Sequence, residues 1–208
     1  MNYLEFLEAL HSYQVFSTRD IIKIFPAFDS RRLVEWQQKG YLQKIVNKCY
    51  VFSDIPKNEW LKHRISNCIY KPSYISLESA LAHYNLIPEA VFAIQNITTQ
   101  KTMNYQTEVG VYNYRTVKPK LFFGYTVNRI QQLPILMAEP EKAILDYLYL
   151  NATIKSLTDI ESIRLNQSVV NEIIDWKKFA SYTACFESTT INRKAKLLLK
   201  IYSNARTI

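Results

Sequence analysis

The chain has 208 residues, of which 48% are hydrophobic and 21% are charged, so it can bury one ordinary core or two small ones. Its three glycines, Gly40, Gly110 and Gly124, are far apart in the sequence. Rossmann fingerprints and P-loops need several glycines within a few residues, because the backbone must approach phosphate closely. The composition therefore excludes those two classes of nucleotide site.

The spacing of the cysteines and histidines argues against a metal site and against a disulfide framework. The three cysteines and three histidines are dispersed, with no CxxC or HExxH spacing, so we predict neither a metal site nor a bound cofactor. The 26 lysines and arginines exceed the 18 acidic residues by eight, which favours a polyanionic partner. The amino terminus lacks the pattern of a signal peptide, and no apolar run is long enough to span a bilayer. These features predict a cytoplasmic protein without a membrane segment.

Residues 1–56 have the pattern of three short helices followed by a hairpin. The first helix is predicted over 2–13. The second follows an N-cap at Ser17, whose capping-box partner is Asp20, and stops at Pro26. The third is predicted over 30–39, after a cap at Asp29. The four-residue turn PAFD between the second and third helices is typical of a helix-turn-helix.

A β-hairpin is predicted immediately after this third helix. Gly40 supplies a left-handed helix end, and two β-rich runs, Leu42–Val46 and Cys49–Phe52, flank the dipeptide Asn47-Lys48. We expect Asn47 to take the positive φ of a two-residue turn. Three helices and a hairpin in this order predict a winged helix-turn-helix domain over 1–56.

The third helix and the hairpin contain the candidate DNA-binding residues. With Leu33 facing the core, arginine and glutamine lie on the opposite face, where they could read guanine and adenine edges in the major groove. Lysines on the hairpin would contact phosphate. The predicted DNA-binding residues are Ser30, Arg31, Arg32, Gln38, Lys39, Lys44, Asn47 and Lys48. The alternative is an ordinary solvated face, and Glu35 favours it because a carboxylate repels phosphate.

Residues 57–208 are predicted to form a mixed α and β domain. Helices are expected over 59–69 and 76–84, with Asn85 as a left-handed terminator of the latter. The region 91–125 is rich in β-branched and aromatic residues and predicts an antiparallel sheet of three to five strands. Further helices are expected after Pro140 and near 157–164, 168–180 and 190–203. The fold class is therefore α+β.

Three carboxylates and a basic end leave functional alternatives open. Glu139, Glu141 and Asp146 could serve a metal-dependent nuclease, but the order Glu-Pro-Glu-Lys lacks the Glu-x-Lys element, so structural use is favoured. Residues 176–208 hold seven cations against one acid. They predict either an amphipathic helix docked on the core or a second phosphate-contacting surface.

Segments in the middle of the chain resemble one protein family. The segment 73–81 (SYISLESAL), followed by 86–89 (LIPE), resembles the signature helix of AbiEi-type antitoxins. The segments 121–124 (LFFG) and 139–146 (EPEKAILD) match two later motifs of that family in the expected order. At Asn85 the family usually has glycine. The resemblance covers about residues 1–150, and the amino-terminal winged helix agrees with it.

This resemblance implies a non-enzymatic antitoxin of a type IV abortive-infection system. Such a protein binds inverted repeats of double-stranded DNA in its own promoter through the winged helix and represses its operon. It also counters a nucleotidyltransferase toxin encoded beside it, often without a stable complex. We expect a monomer or weak dimer. The alternatives are a metal-dependent nuclease on the central sheet and a protein-interaction module without specific DNA binding.

Overall fold

The computed structural model describes residues 2–130 and 133–203, which form an α+β fold. Within these residues there are ten α-helices and two β-sheets, one of three antiparallel strands and one of six mixed strands. Among them, no helix is both long enough and apolar enough to cross a lipid bilayer.

The amino-terminal part forms the smaller sheet and three helices. In chain order its elements are α1 (Tyr3–Leu10), β1 (Val15–Ser17), α2 (Thr18–Ile24), α3 (Arg31–Gln38), β2 (Leu42–Val46) and β3 (Cys49–Phe52). The strand order is β1-β3-β2, so β3 lies between the other two strands.

Local capping explains where α2 and α3 begin. The Ser17 hydroxyl accepts the Asp20 amide at 3.3 Å, and the Asp20 carboxylate accepts the Ser17 amide at 2.8 Å, which confirms the predicted capping box. The sequence predicts Asp29 as the cap of the third helix, but Ser30 occupies the N-cap position of α3 and makes no side-chain capping bond. The Asp29 carboxylate instead accepts the Arg31 amide at 3.0 Å from one residue earlier. Gly40 then takes the left-handed conformation, with a φ of 73°.

The central strand β3 is buried on both faces. Tyr50 and Phe52 point into a small core with Phe6 and Trp36 of the helices. Cys49 and Val51, on the opposite face, belong to the larger core of the remaining chain. Because successive strand residues face opposite sides, one strand contributes to both cores.

The second part contains the six-stranded sheet and the other helices. Its first elements are α4 (Glu59–Ile69), β4 (Ser73–Ile75), α5 (Leu77–His83), β5 (Ala93–Thr98), β6 (Met103–Gln106), β7 (Val111–Thr116), β8 (Tyr125–Ile130) and β9 (Leu133–Ala138). The carboxyl-terminal helices are α6 (Pro140–Leu150), α7 (Leu157–Glu161), α8 (Gln167–Ile173), α9 (Trp176–Cys185) and α10 (Thr189–Tyr202). The strand order is β6-β7-β5-β4-β9-β8, and α4 packs against strands of both sheets.

The prediction of a three- to five-stranded antiparallel sheet over 91–125 is wrong. The sheet has six strands, and two of its pairings, β4 with β9 and β5 with β7, are parallel. The segment 120–125, at the end of the region expected to be β, is a 3₁₀ turn and loop that reaches strand conformation only at Tyr125. A 3₁₀ turn already starts at Pro119, and Gly124 has a φ of 68°, outside the β region of backbone conformations.

Three smaller expectations also differ from the structure. The first helix ends at Leu10 and continues only as a 3₁₀ turn over His11–Tyr13. The helix expected over 168–180 is two helices, because the Asp175 carboxylate accepts the amides of Lys177 and Lys178 and so caps a new helix. In the hairpin turn the positive φ, 66°, belongs to Lys48 and not to Asn47. The left-handed Asn85, with a φ of 56°, is confirmed.

A buried histidine makes the stability of this fold depend on pH. His63 of α4 is 2% exposed and lies beside Trp60 and His83, with ring centroids 5.6 and 6.3 Å away. Burial lowers the pKa of His63 to about 4, and the charges of His83 and Lys62 act in the same direction. The imidazole is therefore neutral in the folded protein at pH values where the unfolded chain already binds a proton.

Acidification is expected to destabilise the protein through His63. Between about pH 7.5 and about pH 5 the unfolded state gains the proton, and the free energy of unfolding falls by roughly 2 kcal/mol from this group. Urea titrations of the wild type and His63→Phe, which keeps a ring beside Trp60, measure the difference. Equal pH dependence in the two proteins would contradict the assignment.

Candidate nucleic-acid interface

The outward face of α3 carries several of the candidate base-reading residues. Leu33 and Trp36 are buried in the small core and fix the orientation of the helix. On the opposite side the Arg31 side chain is 90% exposed, Val34 is 56% exposed, and Gln38 is exposed. These three positions are separated by three and four residues, so they lie along one stripe of the helix. The stripe begins at the helix amino terminus.

Two of the predicted cations on α3 already contact carboxylates. The Arg31 guanidinium lies 2.8 Å from Asp29, and the Lys39 ammonium lies 2.7 Å from Glu35. The hydrogen bond from Arg31 lowers the pKa of Asp29, and the hydrogen bond from Lys39 lowers the pKa of Glu35. Exposed ion pairs of this kind are weak. A phosphate or a base edge can therefore replace either carboxylate as the partner.

The remaining predicted DNA-binding residues lie at the start of α3 and on the hairpin. Ser30, Lys44, Asn47 and Lys48 are exposed, and Arg32 is partly buried. In the described part of the chain no ion pair joins Arg32, Lys44 or Lys48 to a carboxylate. Their positive charges are therefore available to an external anion.

The hairpin turn is held against the start of α2. The Lys48 carbonyl accepts the Thr18 amide at 3.1 Å. The preceding strand β2 is linked to α3 through Gly40 and Tyr41, and the Tyr41 amide donates to the Trp36 carbonyl at 2.9 Å. The structure thus brings the hairpin turn to α2 and the hairpin base to α3. The predicted residues form two groups, five at α3 and three on the hairpin.

Sequence reasoning missed Val34 as a member of this surface. Its side chain is 56% exposed between Arg31 and Gln38. An exposed aliphatic group suits contact with the methyl group of thymine. The spacing contained the signal, because Val34 is three residues after Arg31 and four before Gln38, although an apolar side chain is unusual on a polar face.

The carboxylates considered for a nuclease are engaged in internal contacts. Glu139 accepts hydrogen bonds from the Lys178 ammonium, at 2.7 Å, and from the Tyr182 hydroxyl. Glu141 is 2% exposed and accepts the Asp175 amide at 2.9 Å. Among residues 2–130 and 133–203, no three acidic, histidine or cysteine side chains are grouped so that they could hold a metal ion. Glu139 and Glu141 instead join the start of α6 to α9.

Asp146 belongs to a fully buried polar network. It forms an ion pair with Lys142, four residues earlier on α6, and both side chains are inaccessible to solvent. The hydroxyls of Tyr74 and Ser76 each donate to Asp146 at 2.9 Å, and Lys142 donates to the Tyr74 oxygen at 2.9 Å. Burial lowers the pKa of Lys142 and raises the pKa of Asp146, whereas the ion pair opposes both changes.

The three segments that resemble the antitoxin motifs meet at this network. Tyr74 and Ser76 come from the first segment, and Lys142 and Asp146 come from the third. The second contributes Phe123, whose ring centroid lies 5.0 Å from the Lys142 nitrogen. Each of the three segments therefore contributes at least one residue to the surroundings of the buried Lys142 side chain.

The basic carboxyl-terminal region divides into internal and exposed cations. Lys194 is 2% exposed and donates to the Leu148 and Asn151 carbonyls at 2.6 and 2.7 Å, so it caps the carboxyl end of α6. Lys178 contacts Glu139. The exposed cations are Lys177, Arg193, Lys196 and Lys200. Arg206, counted with this region in the sequence, lies outside the described residues.

Comparison of the chain with models of known protein families finds no match, and comparison with curated proteins finds none either.

Proposed function

We propose that this chain is a double-stranded DNA-binding repressor of the winged-helix type and an antitoxin of the AbiEi kind. One observation carries the DNA-binding part. It is the exposed stripe of Arg31, Val34 and Gln38 on a helix whose other side is anchored in its own small core. In such a stripe Arg31 can hydrogen-bond guanine, Val34 can contact the methyl group of thymine, and Gln38 can hydrogen-bond adenine.

The order of elements supports a winged helix. A helix, a strand, two helices and a two-stranded hairpin follow one another, and the early strand β1 pairs with β3 of the hairpin. In this arrangement α3 would enter the major groove. The hairpin would contact the flanking backbone through Lys44, Asn47 and Lys48.

The antitoxin part rests on the resemblance of the three buried segments to the family motifs. Their convergence at Lys142 indicates that they support the second domain, so we place no catalytic role on them and propose no enzyme activity. The function would then be non-enzymatic repression of the operon together with protection against a nucleotidyltransferase toxin. Restored growth on co-expression with a growth-inhibiting nucleotidyltransferase toxin of this kind tests this part separately, and unrestored growth would contradict it.

DNA binding is tested by titrating the full chain against labelled DNA from upstream of its own coding sequence. Arg31→Ala is expected to raise Kd on this DNA by about 5- to 150-fold and to relax sequence preference, because it removes a base contact worth about 1–3 kcal/mol.

Lys48→Ala is expected to weaken binding on all sequences and to reduce the salt slope by about one, because it removes a phosphate contact.

Lys155→Ala is the matched control, since it removes one exposed charge from the loop before α7, and it should leave Kd unchanged. Equal affinity of the wild type for the upstream DNA and a scrambled duplex would contradict sequence-specific binding. It would favour the protein-interaction module. Magnesium-dependent cutting that is lost in Glu139→Ala would favour the nuclease.

A further inference from the structure

Two cysteines that are 19 residues apart in the sequence lie side by side in the fold. Cys49 is the first residue of β3, and Cys68 lies near the end of α4. Their sulfur atoms are 3.0 Å apart, within hydrogen-bond distance for two thiols. The dispersed cysteines gave no sign of this pairing, because it depends on how the hairpin packs on α4.

The two thiols differ in access. Cys49 is 2% exposed, whereas Cys68 is partly exposed and lines a groove of about 390 Å³. The groove also contains the side chains of Asp20, Arg64 and Lys71. A small molecule in the groove would therefore reach Cys68 first and would reach Cys49 only through it.

The surroundings of Cys68 favour its reaction as a thiolate. The hydrogen bond from Cys49 lowers the pKa of Cys68, and the positive charges of Lys71 and Arg64 lower it further. Burial and Asp20 act in the opposite direction. Cys49 has no such support, since the hydrogen bond and burial both raise the pKa of its thiol. The accessible sulfur is thus also the more nucleophilic one.

We propose that Cys49 and Cys68 form a reversible redox site that reacts with low-molecular-weight disulfides such as glutathione disulfide. The Cys68 thiolate attacks one sulfur of the reagent, which breaks the reagent's sulfur–sulfur bond and releases one small thiol. Cys49 then gives up its proton and attacks the Cys68 sulfur, which releases the second small thiol. Two protein thiols are oxidised, one disulfide is reduced to two thiols, and the two protons end on those thiols.

The new bond would join the hairpin to the helix that connects the two sheets. Cys49 follows Lys48 of the hairpin turn, and α4 packs against β1 and β3 on one side and against β4, β5 and β9 on the other. Closing this loop restricts the unfolded chain and stabilises the folded one. Bond formation would draw together two sulfurs that already lie 3.0 Å apart.

The test uses the full chain with the exposed Cys185 replaced by serine, so that only the proposed pair can react. After incubation with glutathione disulfide, non-reducing peptide mapping should show Cys49 linked to Cys68 and no retained glutathione. The oxidised protein should melt about 5–10 °C higher than the reduced protein, and dithiothreitol should reverse the shift.

Two single variants separate the roles of the sulfurs. Cys49→Ser should retain one glutathione on Cys68, and Cys68→Ser should take up none, because Cys49 is then buried without its partner in the groove. Glutathione that persists on Cys68 when both cysteines are present, or no reaction at all, would overturn the proposal. The peptide map with both cysteines present decides this even if a single variant fails to fold. No outcome depends on DNA binding.

Discussion

Asp146→Ala is expected to lower the free energy of unfolding by about 3–5 kcal/mol, because it leaves the buried Lys142 ammonium without a counter-ion. Both side chains of this pair are fully inaccessible to solvent. The hydroxyls of Tyr74 and Ser76 would lose their acceptor at the same time. An unpaired buried donor costs free energy in its own right. Equilibrium unfolding in urea at neutral pH measures the loss.

The chain provides a matched exposed pair as a control. Glu35 of α3 and Lys39 directly after the helix have the same four-residue spacing, but their side chains are 46% and 53% exposed. Glu35→Ala should change stability by only about 0.5 kcal/mol or less. The double variant Asp146→Leu with Lys142→Met should recover much of the loss, because no buried charge is left unpaired. An effect of Asp146→Ala as small as that of Glu35→Ala would contradict the role given to the network.

The amino-terminal helices could be predicted because their signals are local. Ser17 and Asp20 cap α2 through contacts three residues apart, and the Asp29 carboxylate accepts the Arg31 amide two residues further on, at the start of α3. Leu33 and Trp36 then fix which face of α3 is outward, so the exposure of Arg31 follows from the sequence alone. The contact of Arg31 with Asp29 did not follow from it, since it depends on a side-chain conformation.

The large sheet could not be predicted because its pairings are long-range. The strand β7 inserts between β5 and β6, and β4 pairs with β9 across the intervening strands of the sequence, so these placements cannot be read from adjacent strands. The burial of Tyr112 and Tyr114 explains the central place of β7, and the exposed residues of β6 suit an edge. The three residues of β4 are all buried and show no alternation that would mark them as a strand.

The same reasoning applies to the two buried sites. Lys142 could be placed on a helix from its spacing, but its contact with Tyr74 joins residues 68 positions apart. The pair Cys49 and Cys68 depends on the packing of β3 against α4. Local sequence patterns contain no information on either contact. Both sites therefore became visible only in the folded chain.

Gly124→Ala is expected to lower the free energy of unfolding by about 2–5 kcal/mol, for two separate reasons. Its φ of 68° is unfavourable for any residue with a Cβ atom. A Cβ atom would also lie 3.0 Å from the Tyr182 ring and 3.1 Å from the first two side-chain carbons of Lys142. Those Lys142 carbons are close to the helix backbone, and its ammonium is fixed by Asp146, so the contact cannot relax without disturbing the buried pair.

Gly40→Ala isolates the first of these two reasons. Gly40 has a similar φ of 73°, but an added Cβ atom would meet nothing within 4 Å. Its substitution should therefore lower the free energy of unfolding by only about 1–2 kcal/mol, the cost of placing a Cβ atom on a left-handed backbone. Urea unfolding of the two variants beside the wild type gives the difference, which measures the crowding at Lys142. If the two variants lose equal free energies of unfolding, the loop before β8 shifts to accommodate the methyl group. The segment 121–124 would then pack less tightly on Lys142 than the distances indicate.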